Sequence, residues 1–257
     1  MIKSIRTLDL AKKITPKECD LSTRLCRIHN APLSSTGGKY EVFYCVMCCK
    51  EGGMRHDRIQ KEMELSKRQE MFNTLLANSC IPKRFIGSRL DNFIAINADQ
   101  NKVLGDAVLL ASNQDFTGAI FLGNVGTGKT HLAVSIGIEF IKKGKSCLYT
   151  KLFNMILHIK ESWGNKNGVS EREIINHYSS KDLLIIDEVG VQYETETERL
   201  YVTNIIDNRY NNLLPTILVG NITPKELGVL LGDRTMRRIR EKCKVLVFSW
   251  KQNPNNG

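Results

Sequence analysis

No run of about eighteen consecutive apolar residues occurs anywhere in the 257-residue chain, so the sequence offers no transmembrane helix. The opening MIKSIRTLDLAKKITPKECD lacks the apolar core of about 7–15 residues that a secretory signal needs, which predicts a cytoplasmic protein. Internal repeats and low-complexity tracts are absent too. Acidic residues are in deficit: 27 Asp and Glu stand against 37 Lys and Arg, a net charge of +10 that suits a polyanionic partner. Residues 1–80 carry 14 basic and 9 acidic side chains and the remaining 177 carry 23 and 18, a net +5 in each, so net positive charge per residue is about twice as high in the first third. A merely solvated basic surface would give the same numbers.

What is present is the balance of a globular protein, 42% hydrophobic and 25% charged, long enough for one large or two modest domains. The eight cysteines are unevenly spread. Five of them (Cys19, Cys26, Cys45, Cys48 and Cys49) fall within 31 residues, while Cys80, Cys147 and Cys243 are scattered and read as small buried hydrophobes. In a reducing compartment such a cluster points to a metal rather than to disulfides. Cys26-x-x-His29, a gap of 15 residues, then Cys45-x-x-Cys48 is the spacing of two zinc knuckles, predicting one Zn²⁺ held by Cys26, His29, Cys45 and Cys48. Gly37 and Gly38 would turn the connecting hairpin, and Cys19, Cys49 or His56 could replace a ligand.

Composition divides the chain near residue 80, and with the cysteine spacing this predicts a zinc-ribbon-like region at 1–50, a helical linker at 51–80 and a larger domain at 81–257. The linker contains no proline, and its sparse apolar residues (Ile59, Met63, Leu65, Met71, Phe72, Leu75 and Leu76) suit a connecting helix or one that needs a partner's groove. Beyond residue 80, strand-like runs at 118–123, 146–150, 182–188, 215–221 and 244–250 alternate with helical stretches at about 130–143, 151–162, 171–179, 196–211 and 233–241. That alternation predicts an α/β fold with a central parallel sheet flanked by helices.

GNVGTGKT at 123–130 satisfies G-x-x-x-x-G-K-S/T, with a strand before it and a helix after it. Its glycines let backbone N–H groups wrap phosphates, Lys129 would neutralise the β- and γ-phosphates, and Thr130 would ligate Mg²⁺. LLIIDE at 183–188 delivers Asp187 to a strand's carboxyl end as a second Mg²⁺ group, with Glu188 placed to orient or deprotonate a water. Asn221 ends another apolar strand, where a buried amide needs a partner and could sense the γ-phosphate. In LGDRTMRRIREKCK, Arg234 and Arg238 share a helix face. Either a solvated basic face or an arginine finger accounts for them.

In that order, GNVGTGKTHLA, LLIIDEVGVQ, LVGN and LGDRTMRRIR resemble the DnaC-type helicase loaders of the DnaC/IstB branch of AAA+ ATPases, over roughly two-thirds of the chain from about residue 79 to 250. The resemblance implies an AAA+ P-loop domain binding ATP and Mg²⁺ through Gly123, Asn124, Val125, Gly126, Thr127, Gly128, Lys129, Thr130, His131 and Asp187. It also implies catalysis by Glu188, Asn221 and Arg238, with Arg234 as the alternative finger. Residues 151–168 match the place where initiator-type relatives face single-stranded DNA, and offer Lys151, Lys160, Lys166, Phe153 and Trp163. After the last strand, where the family has a second sensor, SWKQNPNNG offers only Lys251. The implied function is ATP-dependent loading of a replicative DnaB-type helicase onto single-stranded DNA, with self-association through the ATPase domain and no membrane. The alternatives are an IstB-like transposition helper, or a zinc-dependent DNA-binding regulator with a vestigial nucleotide site.

Overall fold

The computed structural model describes residues 19–20, 25–26, 28–35, 43–113, 115–163, 168–190 and 195–251. The chain forms two compact units, Met1–Gln69 and Glu70–Gly257. Among the described residues, no helix is long and apolar enough to cross a membrane.

In the first unit, β1 (Cys19–Asp20) pairs antiparallel with β2 (Leu25–Cys26), and β3 (Ser34–Ser35) with β4 (Phe43–Tyr44). A tight turn follows β2. Asn30 adopts φ 47°, its N–H returns to Cys26 O at 2.8 Å, and Cys26 N–H donates to Ala31 O at 2.9 Å. Helix α1 spans Val46–Ala77, five residues earlier than the linker helix expected from 51, so Cys48 and Cys49 lie in its first turn. The predicted Gly37–Gly38 turn lies outside the described residues.

The second unit holds a five-stranded, all-parallel sheet: β5 (Gly118–Gly123), β6 (Cys147–Lys151), β7 (Leu183–Val189), β8 (Thr216–Gly220) and β9 (Lys244–Phe248), in the order β6-β7-β8-β5-β9. Side chains alternate across each strand, so the sheet has two apolar faces. One face, with Phe121, Ile185, Val219 and Phe248, is covered by α2 (Ala98–Ser112) and α3 (Lys129–Lys142), and Phe72, Leu75 and Leu76 pack there too. The other, with Ile120, Leu148, Ile186 and Leu218, lies under α4 (Leu152–Glu161), α5 (Glu171–Ser179), α6 (Glu196–Asn211) and α7 (Pro224–Lys242). Helix α7 breaks at Gly232, whose φ is 75°, so the predicted 233–241 helix is only its second half.

Strand order positions the site. Because β8 sits between β5 and β7, the loops leaving these three strands at their carboxyl ends converge on one place, where open parallel sheets bind ligands.

Candidate nucleotide site

The loop after β5 curls over the start of α3. Gly123 (φ 138°) closes the strand against β9, where an added Cβ would stand 2.1 Å from Phe248 O; no other residue fits. Gly128, at φ 90°, is the N-cap that swings the chain into α3, so the first N–H groups of that helix face outward. The neighbouring strand β9 and the residues just after it brace the loop: Asn124 N–H donates to Phe248 O at 3.3 Å, and the Trp250 indole N–H to Thr127 O at 3.2 Å.

A cavity of about 350 Å³ opens here, lined by Val125, Gly126, Thr127, Gly128, Lys129, Thr130, His131, Asp187, Glu188, Gly220 and Asn221, together with Arg84 and Phe85. The expected run from 123 to 131 is therefore gathered around one space, with Gly123 and Asn124 acting from behind it. Lys129 Nζ donates to Gly123 O at 2.7 Å and also to Asn124 O. Burial lowers its pKa and the nearby Asp187 opposes that shift. Lys129 Nζ also reaches Thr127 Oγ1 at 3.4 Å, and a buried cation held by neutral oxygens is electrostatically ready for an anion.

Asp187 is 6% exposed and carries three hydrogen bonds: Thr130 Oγ1 donates to its Oδ2 at 2.9 Å, Tyr149 OH to the same oxygen at 2.7 Å, and Glu188 N–H to Oδ1 at 2.8 Å. Burial and the adjoining carboxylate push the Tyr149 pKa upward, so its proton stays on the phenol. An adjacent hydroxyl and carboxylate form a hard-oxygen donor pair of the kind that suits Mg²⁺. Glu188 sits in the left-handed region at φ 57°, a conformation that costs a non-glycine residue about 1–3 kcal/mol and is concentrated at functional sites. Its carboxylate is turned onto Lys151 Nζ at 2.6 Å. Asn221 lies one residue past β8 and is exposed at the cavity rim, so the expectation of a buried amide is corrected: the strand ends at Gly220 and its burial ends there.

Sequence reasoning missed Arg84, Phe85 and Tyr149. The first two arrive on a short 3₁₀ turn, Lys83–Phe85, with the Arg84 guanidinium 4.5 Å from the Phe85 ring centroid. Neither segment carries a motif, although Tyr149 lies within the strand-like run expected at 146–150. His131 reaches the chain just after that turn, its Nε2 3.0 Å from Arg89 O.

Arg238 does not line this cavity. Its guanidinium donates to Asp207 Oδ2 at 2.7 Å and lies 5.4 Å from the Tyr210 ring centroid, both on α6. Arg234 is exposed. In the 151–168 segment Phe153 is 61% and Trp163 50% exposed, but Lys151 and Lys160 are ion-paired with Glu188 and Glu198. Lys166 and the 252–257 tail lie outside the described residues.

The family profile of IstB-like ATP binding proteins matches residues 54–246, three-quarters of the chain. The chain belongs to the IstB/DnaC family of ATP-binding proteins. The replicative helicase loader DnaC of Buchnera aphidicola (subsp. Baizongia pistaciae) is 32% identical over 197 residues, covering 75% of this chain and 80% of that protein. DnaC of Escherichia coli K12 is 31% identical over 204 residues, covering 78% and 81%. The crystal structure of the DnaC helicase loader superposes with a TM-score of 0.58 at 26% identity, over 65% of this chain and 99% of that one. The second unit of this IstB/DnaC-type protein is thus an AAA+ P-loop fold, as its sheet order indicates.

The Cys/His cluster of this DnaC relative precedes the matched residues. The four ligand atoms of Cys26, His29, Cys45 and Cys48 lie within 4.8 Å of one another. Cys48 Sγ is 3.5 Å from Cys26 Sγ, and His29 Nδ1 is 3.2–3.7 Å from the three sulfurs. A tetrahedral ion with bonds of about 2.3 Å to sulfur sets its sulfurs roughly 3.8 Å apart, so the set fits a metal such as zinc. His29 Nε2 meets Glu51 Oε1 at 3.0 Å, the outer carboxylate contact that orients a ligating imidazole. The side chains of Cys19 and His56, two of the alternative ligands, lie outside the described residues. Cys49 is not part of the cluster.

Proposed function

We propose that this protein is a cytoplasmic, ATP-dependent loader that delivers a replicative DnaB-type helicase to single-stranded DNA. The observation that carries the reading is the conjunction of a complete phosphate cavity with sequence likeness to DnaC loaders over about four-fifths of their length. Lys129 would leave the carbonyls of Gly123 and Asn124 to neutralise the β- and γ-phosphates. Thr130 and Asp187 would hold Mg²⁺, which supplies charge neutralisation on the phosphates. Glu188, released from Lys151, would orient or deprotonate the attacking water, and Asn221 at the rim would sense the γ-phosphate. Hydrolysis then acts as a switch.

Arg238 is absent from its own subunit's cavity, which supports a role across a seam between identical copies, where a guanidinium stabilises transition-state charge. The exposed Phe153 and Trp163 support stacking of single-stranded DNA bases. The first unit, with Zn²⁺ bound at Cys26, His29, Cys45 and Cys48, would engage the helicase, aided by the exposed Met63 and Leu65 of α1.

Mixing the protein with its cognate helicase and ATP and weighing the complex by native mass spectrometry tests this reading. A defined assembly is expected with wild type and not with Lys129→Ala. The family's IstB side supports a second reading, an ATPase serving a transposase. Capture of a transposase with no helicase would favour it.

A further inference from the structure

Asp187 is held by more than the phosphate motifs. Tyr149 belongs to β6, which runs parallel beside β7 with Tyr149 opposite Ile185 and Lys151 opposite Asp187. Its ring lies in the same apolar layer as Leu183 and Ile185, where a leucine or isoleucine would serve packing equally well. The hydroxyl is what packing leaves unexplained. It is buried, does not line the nucleotide cavity, and donates to Asp187 Oδ2 at 2.7 Å.

We propose that Tyr149 is a positioning residue that fixes the Asp187 carboxylate for the divalent cation arriving with the nucleotide. This rests on reading Asp187 as a Mg²⁺ group. Of the three donors to Asp187, the Glu188 N–H is local and restrains only Oδ1. The Thr130 hydroxyl must share its oxygen with the cation. Tyr149 alone is mounted on a separate strand and has no second duty, so its bond persists when the cavity fills. Without it, the carboxylate plane is free to turn about its terminal torsion, and ordering it falls to the cation.

The test is the ratio of ATP dissociation constants measured by titration calorimetry without and with Mg²⁺, using the full chain. Magnesium-free buffer without chelator spares the Cys/His cluster. Tyr149→Phe keeps the ring and loses one hydrogen bond to a charged group, so the ratio should fall roughly tenfold while the Mg²⁺-free affinity stays within about twofold. Tyr149→Met, which fills the space without a donor, should behave alike and covers the case where one variant folds poorly. A packing role alone would lower the melting temperature and leave the ratio unchanged, and that result in both variants overturns the proposal. Asp187→Asn separates the two levels. If it brings the ratio near one but the Tyr149 variants do not move it, the positioning role alone fails. If Asp187→Asn leaves the ratio at the wild-type value, the Mg²⁺ role of Asp187 fails, and with it the assignment of Tyr149.

Discussion

Arg209 is fully buried and, among the described residues, faces no carboxylate within hydrogen-bonding reach, so its loss should carry a large stability effect. Its guanidinium donates to the carbonyls of Tyr178 (3.0 Å), Ser179 (3.3 Å), Lys181 (2.8 Å) and Pro215 (2.6 Å), and to Thr216 Oγ1 (2.9 Å). The first two are carbonyls of the last turn of α5, which have no partner within their own helix. Arg209 on α6 therefore caps α5 and pins the turn that enters β7. Burial pulls its pKa down to about 10, still far above neutrality, so the cation persists. In Arg209→Met, Pro215 O keeps the Leu184 N–H at 3.3 Å, which leaves three carbonyls to count. At about 1–3 kcal/mol for each stranded acceptor, less the relief of no longer burying a cation, the net loss is about 3–5 kcal/mol. Urea unfolding read by circular dichroism should show the midpoint falling with its slope unchanged. Arg209→Lys, a point donor in place of a fork, should recover less than half. A loss under about 1 kcal/mol for Arg209→Met would refute the capping argument.

Four further outcomes follow from the same geometry. Lys129→Ala should weaken ATP binding at least about tenfold, by loss of a desolvated charge-assisted contact, with little change in melting temperature; titration calorimetry decides it. Arg238→Ala should cut Mg²⁺- and DNA-dependent ATP hydrolysis by about a hundredfold or more while ATP affinity stays nearly intact. Hydrolysis at the wild-type rate would remove Arg238 from the seam. Metal analysis should return about one zinc per chain, and Cys48→Ser should lose it; metal-free folded protein would remove the ribbon. Glu226 accepts from the N–H and hydroxyl of Thr223, which hold its carboxyl below the usual range. A depressed carboxyl stabilises the fold above its unfolded pKa of about 4.3, and that contribution fades as pH falls toward its folded value. Glu226→Gln should therefore flatten the acid limb of hydrogen exchange at the start of α7.

Local signals read well in this chain and long-range ones did not. GAIFLG becomes a strand over 118–123 as written, because four consecutive buried apolar residues between glycines leave few alternatives. The 171–179 and 196–211 helices begin after Ser170 and Thr195, each closing a capping box visible in sequence as S-x-x-E or T-x-x-E. Helix α2 was overlooked although Asn97 caps it, since the polar ADQNK stretch hid its apolar stripe. The first half of α7 was overlooked despite Thr223, Pro224 and Glu226, the same signature with proline at its start. The Lys129, Thr130 and Asp187 positions stood out because phosphate chemistry imposes a spacing on them. Tyr149, Arg84 and the Asp207 partner of Arg238 are set by strand register and helix docking, which leave no spacing to read. The cysteine spacing brought four ligands together, yet not the start of α1 at Val46 that carries one of them.

The central claim is that ATP bound at Lys129 drives placement of a helicase on single-stranded DNA. A closed circular single strand offers no free end onto which a helicase can thread, so helicase retained on such circles after a salt wash reports loading directly. Retention should require both this protein and ATP and disappear with Lys129→Ala; equal retention without the protein, or with the Lys129→Ala variant, would contradict the account.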